Sequence, residues 1–418
     1  MTDTQVAKVV GAVREDRLWQ RHMEMAAFGA TPRGGVNREA LTPEFTQARQ
    51  CLLKWTSMRG YTSAIDAIGN LFIRRSGTDP TAAPVVSGSH LDSQPAGGKF
   101  DGAFGVLAAL EVLDALSDAS VATKHPIEIV DWMNEEGGRF QPTTMGSSVF
   151  AETLPLDTVL ATADREGITV ETALAEHLTK INTDGIREFG FPMAAYLEAH
   201  IEQGPVLEAT KNTIGIVTGI QGLRWFQIEV TGEEAHAGTT PRANRRDALA
   251  AAVEMIETLH LFMFDESDTV RFTVGRLDVS PNSPNTVPGK ASFTVDLRHP
   301  DAEVLRDLGD HIEEICDAHS GDCEVSVTET ITSAPTTFDP AVVGLIRKAA
   351  HHQEFPAMEM ISGATHDAKS LAGLCPSGMI FVPCAGGISH NETESATPAD
   401  LAARSRVLAE AIVSLANA

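Results

Sequence analysis

Val85-Val86-Ser87-Gly88-Ser89-His90-Leu91-Asp92 is followed at once by Gly97-Gly98-Lys99-Phe100-Asp101-Gly102. The first block is a short apolar run ending in polar residues, which reads as a buried strand. The second is a glycine-rich turn leading into a helical pattern, Gly102–Leu116, with Val106, Leu110 and Leu113 on one face. A second strand–turn unit follows: Pro126–Trp132, then Asn134-Glu135-Glu136-Gly137-Gly138. Strands alternating with helices predict an α/β sheet under a helical cover. In such sheets ligands gather at the carboxyl ends of the strands, where both polar clusters fall.

Outward from this core, helical patterns are expected over Gln5–Ala30 and Pro43–Arg59, and a strand over Ala83–His90. The texture changes near Thr213. Ile214–Ile220, Trp225–Thr231, Val270–Asp278, Lys290–Arg298 and Cys323–Thr330 read as strands. Asn244–His260, with Leu249, Val253 and Ile256 aligned, and Glu303–His319 read as helices. Beyond them, Pro340–His352 (helix), Met379–Val382 (strand) and Pro398–Asn417 (helix) resume the first pattern. The expected architecture is one α/β domain, residues 1–212 and 331–418, interrupted by a smaller α+β domain at 213–330.

The chain has 418 residues, 43% hydrophobic and 21% charged, ordinary globular usage that excludes disordered and fibrous classes. Its 32 basic and 57 acidic residues give a formal charge of −25, which repels phosphate backbones and argues against nucleic-acid partners. No apolar run of about 18 residues is present to span a membrane. Met1–Arg17 lacks the apolar core of a secretory signal. Cys51, Cys316, Cys323, Cys375 and Cys384 are odd in number and show no CxxC spacing, which fits a reducing, cytoplasmic setting.

His90, at a strand end, is placed as a metal ligand, and Asp92 is expected to accept its imidazole N–H. Asp101 reads either as a ligand or as a helix cap. In the Glu135–Glu136 pair one carboxylate can hold a metal while its neighbour takes a proton from water; the plain alternative is a solvated acidic turn. His200 and His390 sit in Glu198-Ala199-His200-Ile201-Glu202-Gln203-Gly204-Pro205 and Gly386-Gly387-Ile388-Ser389-His390-Asn391-Glu392. Three histidines, an Asp able to bridge and a Glu form a two-metal donor set suited to zinc or manganese rather than calcium. His236, between small residues, is either an oxyanion donor or a helix-capping residue. Arg298, at a strand end, either reads a substrate carboxylate or pairs with Asp296 or Asp301.

The motifs GSHLD, GGKFDG, NEEGGRF, EAHIEQGP, GEEAHAGTTP, PNTVPG and GISHNE run in that order from residue 88 to 392. In this the chain resembles the dinuclear-metal M20 peptidase superfamily, and within it the amidase branch. That branch holds N-carbamoyl-L-amino-acid hydrolases, β-ureidopropionase and allantoate amidohydrolase. The resemblance implies an M20-type catalytic domain with an inserted lid and dimerisation domain. It implies two divalent ions, zinc or manganese with cobalt or nickel as substitutes. Their ligands would be His90, Asp101 (bridging), Glu136, His200 and His390, with Glu135 the general base and a cis peptide after Asp101. Gln203, His236, Asn285 and Arg298 match substrate-contacting positions of that branch, and the resemblance implies a homodimer formed through the insert. One departure is Gly363-Ala364-Thr365-His366-Asp367-Ala368, where Thr365 replaces the glycine usual in relatives. Ser93-Gln94-Pro95 before GGKFDG looks more like the β-ureidopropionases.

The expected reaction is hydrolysis of an N-carbamoyl amino acid to the amino acid, ammonia and carbon dioxide. Alternatives on the same scaffold are an allantoate amidohydrolase, an aminoacylase or a dipeptidase. A metal-free thiol amidase on Cys384 is disfavoured because no Glu or Lys stands beside that residue. A binding protein without chemistry is disfavoured by the intact Glu135 and ligand set.

Overall fold

The computed structural model describes residues 3–418; Met1 and Thr2, which opened the stretch read for a secretory signal, lie outside them. The strands used below are β1 (Thr62–Ile65), β2 (Leu71–Arg75), β3 (Val85–His90), β4 (Ile127–Trp132), β5 (Ala195–Ile201), β6 (Ile214–Ile220), β7 (Gly222–Thr231), β8 (Lys290–His299), β9 (Glu324–Ser333) and β10 (Ser377–Val382). The chain divides into two compact units. One runs to Thr218 and resumes at Thr337; the other is Gly219–Thr336.

In the first unit the strands lie in the order β6-β10-β5-β3-β4-β2-β1. The central pairs β10–β5, β5–β3 and β3–β4 are parallel, while β6, β2 and β1 join antiparallel. Every residue of β3, β4, β5 and β10 is buried. Two-sided burial goes with parallel strands covered by helices, here by Ala103–Asp118 and Pro398–Leu415. The α/β class expected from the sequence, interrupted by a smaller unit, is the one observed.

The second unit is an antiparallel sheet in the order Arg271–Thr273, β8, β7, β9, with Leu277–Ser280 also on β8. Burial alternates strictly along β8, so one face is covered. The helices Ala248–Phe262 and Ala302–Ala318 supply the cover.

Several expectations need correction. Gln5–Ala30 is two helices, Asp3–Gly11 and Glu15–Met25. They are parted by Arg14, which is extended so that its N–H reaches Glu111 Oε1 at 2.7 Å. Val270–Asp278 is two short strands, with Val274–Arg276 between them outside any element. Strands β1, β2 and β5 were not anticipated. In the helix Ala248–Phe262 the buried face is Ala248, Ala251, Ala252, Met255 and Leu259, whereas Val253 of the expected stripe is exposed.

Candidate metal centre

Four strands deliver the polar residues to one end of the sheet. His90 is the last residue of β3, Glu135 and Glu136 follow β4, His200 is next to last in β5, and His390 lies in the loop after β10. Asp101 sits on the turn that opens the helix Ala103–Asp118. All but His390 are buried.

That turn is tight. Gly102 has φ +60 and ψ −50, and the Ala103 N–H reaches Asp101 O at 2.5 Å, a three-residue γ-turn. A Cβ at Gly102 would come within 2.2–2.3 Å of three His90 ring atoms. Glycine is therefore required both by φ and by the close approach. The expected cis peptide after Asp101 is not found: among the described residues the cis bonds are Gln141–Pro142 and Ser280–Pro281. Gly102's positive φ achieves the reversal instead. Nor does Asp101 cap the helix, whose first turn has no side-chain cap.

His90 Nδ1 lies 3.0 Å from Asp92 O, and His200 Nδ1 lies 3.0 Å from Ile201 O. A carbonyl only accepts, so both Nδ1 atoms carry the hydrogen and both Nε2 atoms present a lone pair. The Gly102 N–H donates to His200 Nε2 at 3.2 Å, in agreement. The carboxylate of Asp92 was expected on the His90 imidazole. It accepts the N–H groups of Glu135 and Glu136 instead, at 3.2 and 3.1 Å, and so fixes the loop that bears them.

Asp101 stands between two donor sets. Its Oδ1 is 3.2 Å from His200 Nε2 and 3.7 Å from His90 Nε2; its Oδ2 is 3.5 Å from His390 Nε2. His390 Nε2 is also 3.2 Å from Glu136 Oε2. His90, Asp101 and His200 thus make one candidate metal group, and Asp101, Glu136 and His390 a second. Lone pairs facing carboxylate oxygens repel unless a proton or a cation lies between them. The site fits divalent metal by that test, with imidazole and carboxylate donors converging on two points.

The same carboxylates that face the imidazoles raise the proton affinity of two of them. Against the pull of burial, Asp101 pushes the His200 imidazole up to about 9. A hydrogen bond to Glu136 does the same for His390, also to about 9. Burial raises Asp101, but His200, His90 and His390 overcome it and hold the carboxylate well below its usual range. Glu135 is held well above the carboxylate range, first by burial and then by Asp367, Glu136, Asp92 and Asp101. Its Oε2 is 3.5 Å from His90 Nε2. Divalent ions held by the two candidate groups would favour the ionised form of this carboxyl, from which it could accept a proton from water.

Gln203 donates Nε2–H to Asp101 Oδ2 at 2.8 Å, and its Oε1 is buried without a hydrogen bond. The other residues expected at the substrate lie in the second unit. His236 and Asn285 are neighbours there: Ala235–His236 pairs with Thr286–Val287, and the Ala237 N–H reaches Asn285 O at 3.0 Å. His236 Nδ1 accepts the N–H groups of Gly238 and Thr239, which leaves the hydrogen on Nε2. It does not cap the helix Ala248–Phe262; Asp247 does. Arg298 grips Asp296 through both Nε and Nη2, at 2.9 and 2.8 Å, while Asp301 caps the helix Ala302–Ala318.

A third candidate group, Glu198, His200 and His366, was not anticipated. Glu198 is already satisfied by Ser89 Oγ, the Ala368 N–H and the Tyr196 hydroxyl. His366 bonds Ser362 Oγ at 2.9 Å and packs its ring 4.5 Å from that of His200. The pair buttresses His200. Cys384 is buried, and burial pushes its thiol up to about 11, which gives no reactive thiolate.

The model of Peptidase family M20/M25/M40 matches residues 86–414. The chain belongs to that family. It is 41% identical over 413 residues, 97% of this chain and 97% of the relative, to an N-carbamoyl-L-amino-acid amidohydrolase of Rhizobium meliloti. It is 34% identical, over 94% of this chain and 95% of the relative, to an allantoate amidohydrolase of Bacillus subtilis. A solved amidase of the hydantoinase/carbamoylase family from Burkholderia multivorans superposes with a TM-score of 0.92 at 44% identity, covering 97% of this chain and 98% of that one. The resemblance read from GSHLD through GISHNE, including the amidase branch of M20, is borne out.

Proposed function

We propose that this M20 chain hydrolyses the carbamoyl group of an N-carbamoyl amino acid. The observation that carries the reading is Asp101, whose two oxygens face two separate donor sets beside Glu135. The named relative at 41% identity supports the substrate class. We assign His90, His200 and Asp101 to one divalent ion and Asp101, Glu136 and His390 to the other, zinc or manganese, with cobalt or nickel as substitutes. When bound, such ions act as Lewis acids that make water nucleophilic at neutral pH.

Glu135 Oε2 takes a proton from the attacking water and later delivers it to the leaving nitrogen. One water is consumed per carbamoyl group, which leaves as carbon dioxide and ammonia and frees the amino acid. His236 serves as an oxyanion donor through Nε2–H. Gln203 and Asn285 orient the substrate. Arg298 takes its carboxylate, exchanging Asp296 for the ligand. The second unit serves as lid and dimerisation domain, a role supported by exposed apolar residues along one helix and beyond it: Val253, Leu261, Phe262 and Phe264. No helix among the described residues is long and apolar enough to cross a membrane, and five free cysteines support a cytoplasmic setting.

Allantoate is the second reading, favoured by the Bacillus subtilis relative. The test is a panel of N-carbamoyl-L-amino acids, N-carbamoyl-β-alanine, allantoate and N-acetyl amino acids, offered to chelator-treated and metal-restored protein. Turnover of carbamoyl compounds only after metal is restored, with two ions per chain by elemental analysis, is the expected result. Preference for allantoate moves the assignment to the second reading. Activity that survives metal removal overturns both.

A further inference from the structure

His390 is the loosely held member of the centre. Its side chain is 50% exposed, and it sits at φ +52 in the loop between β10 and the helix Pro398–Leu415. Four residues later Glu394, 1% exposed, reaches back toward the other half of the site. Its Oε1 accepts the N–H groups of Phe100 and Asp101, at 2.8 and 3.1 Å. Its Oε2 lies 3.1 Å from Ser389 Oγ, and that hydroxyl is 2.8 Å from Asp101 Oδ2. One carboxylate therefore holds the backbone that carries Asp101 and stands against the hydroxyl of the residue preceding His390, which has a single hydrogen to share between the two acids.

The glycine turn is shaped around this contact. A Cβ at Gly98 would lie 2.0–2.1 Å from the carboxylate carbon and both oxygens of Glu394. Only a residue without a side chain lets the acid in. The neighbouring Glu392 is held differently, by Arg33, whose side chain is 81% exposed. The Arg33 end of that pair lies in solvent, where screening weakens it, although Glu392 itself is buried. Glu394 is the inner brace, and removing it would leave two buried N–H groups without a partner.

We propose that Glu394 is a positioning residue: it sets the spacing between the bridging carboxylate and His390, and through it the affinity for the ion on the His390 side. Outer partners of metal ligands typically change affinity by about 10–100-fold when lost. The inference rests on the two-ion reading above.

The test is zinc titration of metal-free parent, Glu394→Ala, Glu394→Gln and Ser389→Ala proteins against a competing chelator, with thermal melts of each metal-free form. Glu394→Ala is expected to bind one of its two ions about 10–100-fold more weakly and the other nearly as the parent does. Glu394→Gln keeps a carbonyl for the two N–H groups and an amide for Ser389, and is expected to restore parent-like binding. Parent-like affinity for both ions in Glu394→Ala, whatever its melting temperature, overturns the inference. So does an equal loss at both ions, or a Gln variant as weak as Ala. Should Glu394→Ala not fold, Ser389→Ala decides: weaker binding of one ion supports the brace, unchanged binding refutes it. A parent chain that takes up a single ion refutes the two-ion reading and the brace together.

Discussion

Glu135 and Glu136 are adjacent in sequence but differ in surroundings. Glu136 is tethered, its carboxylate contacted by the Gln94 N–H, by Gln94 Nε2 and by His390 Nε2. Glu135 faces His90 and an array of other carboxyl groups. Glu135→Gln is therefore expected to keep both ions and lower kcat about 100-fold or more, the usual scale for a lost general base. Glu136→Gln is expected to bind one ion more weakly. Steady-state kinetics paired with metal analysis checks this, and a reversed pair of phenotypes would exchange the roles. At this scale the sequence was readable wherever a motif carried the chemistry. Glu394 escaped because the N–H groups it satisfies lie 293 and 294 residues away. Asp92 was misread for a related reason: a side chain placed beside an imidazole was needed more by the backbone of Glu135 and Glu136.

At the scale of elements, the γ-turn at Gly102 brings Asp101 up against the His90 ring at the end of β3. Gly102→Ala would put a side chain at φ +60 and force the His90 ring to move. Strain of this kind costs about 1–3 kcal/mol. The expected result is a melting temperature lower by several degrees together with weaker metal uptake, read by calorimetry with and without zinc. Metal uptake equal to the parent's would show that His90 relocates freely. Elements were legible where apolar residues clustered between turn signals, as in β3 and β4, or recurred at helical spacing, as in the helix Pro340–His352. Strand β5 was missed because its polar residues Glu198 and His200 drew the reading to chemistry; both are buried in the strand with partners that only the tertiary structure supplies. Strand β2 ends in Arg74 and Arg75. Arg74 pairs with Glu128 of the neighbouring β4, so charge that reads as surface is partly enclosed.

For the whole molecule, stability in acid turns on buried neutral groups. His22 is fully buried between Phe100 and Phe104, and neither ring nitrogen has a hydrogen-bond partner. Burial, with Arg38 beside it, holds the imidazole down at about 3. In the unfolded chain it titrates near 6.5. Between those values the unfolded state binds a proton that the folded state refuses, so stability falls as pH drops from about 6.5 toward 3 and is unaffected by this group above that window. The slope is about 1.4 kcal/mol per pH unit. His22→Leu should gain on the parent by that amount per unit in urea melts at pH 6, 5 and 4. A constant gap between the two would mean that His22 is protonated in the fold.

Strand β10 lies between β5 and β6, in register with Tyr196–Ile201 on one side and Gly215–Val217 on the other. Its residues, Ser377–Val382, are synthesised long after those of both neighbours. Until they emerge, β5 has an open apolar edge in the middle of the sheet, and His200 lacks the flank supplied by Phe381. A nascent chain that holds β5 and β6 but not yet β10 therefore carries an unpaired edge in the middle of its sheet, the kind of edge that invites pairing with another chain.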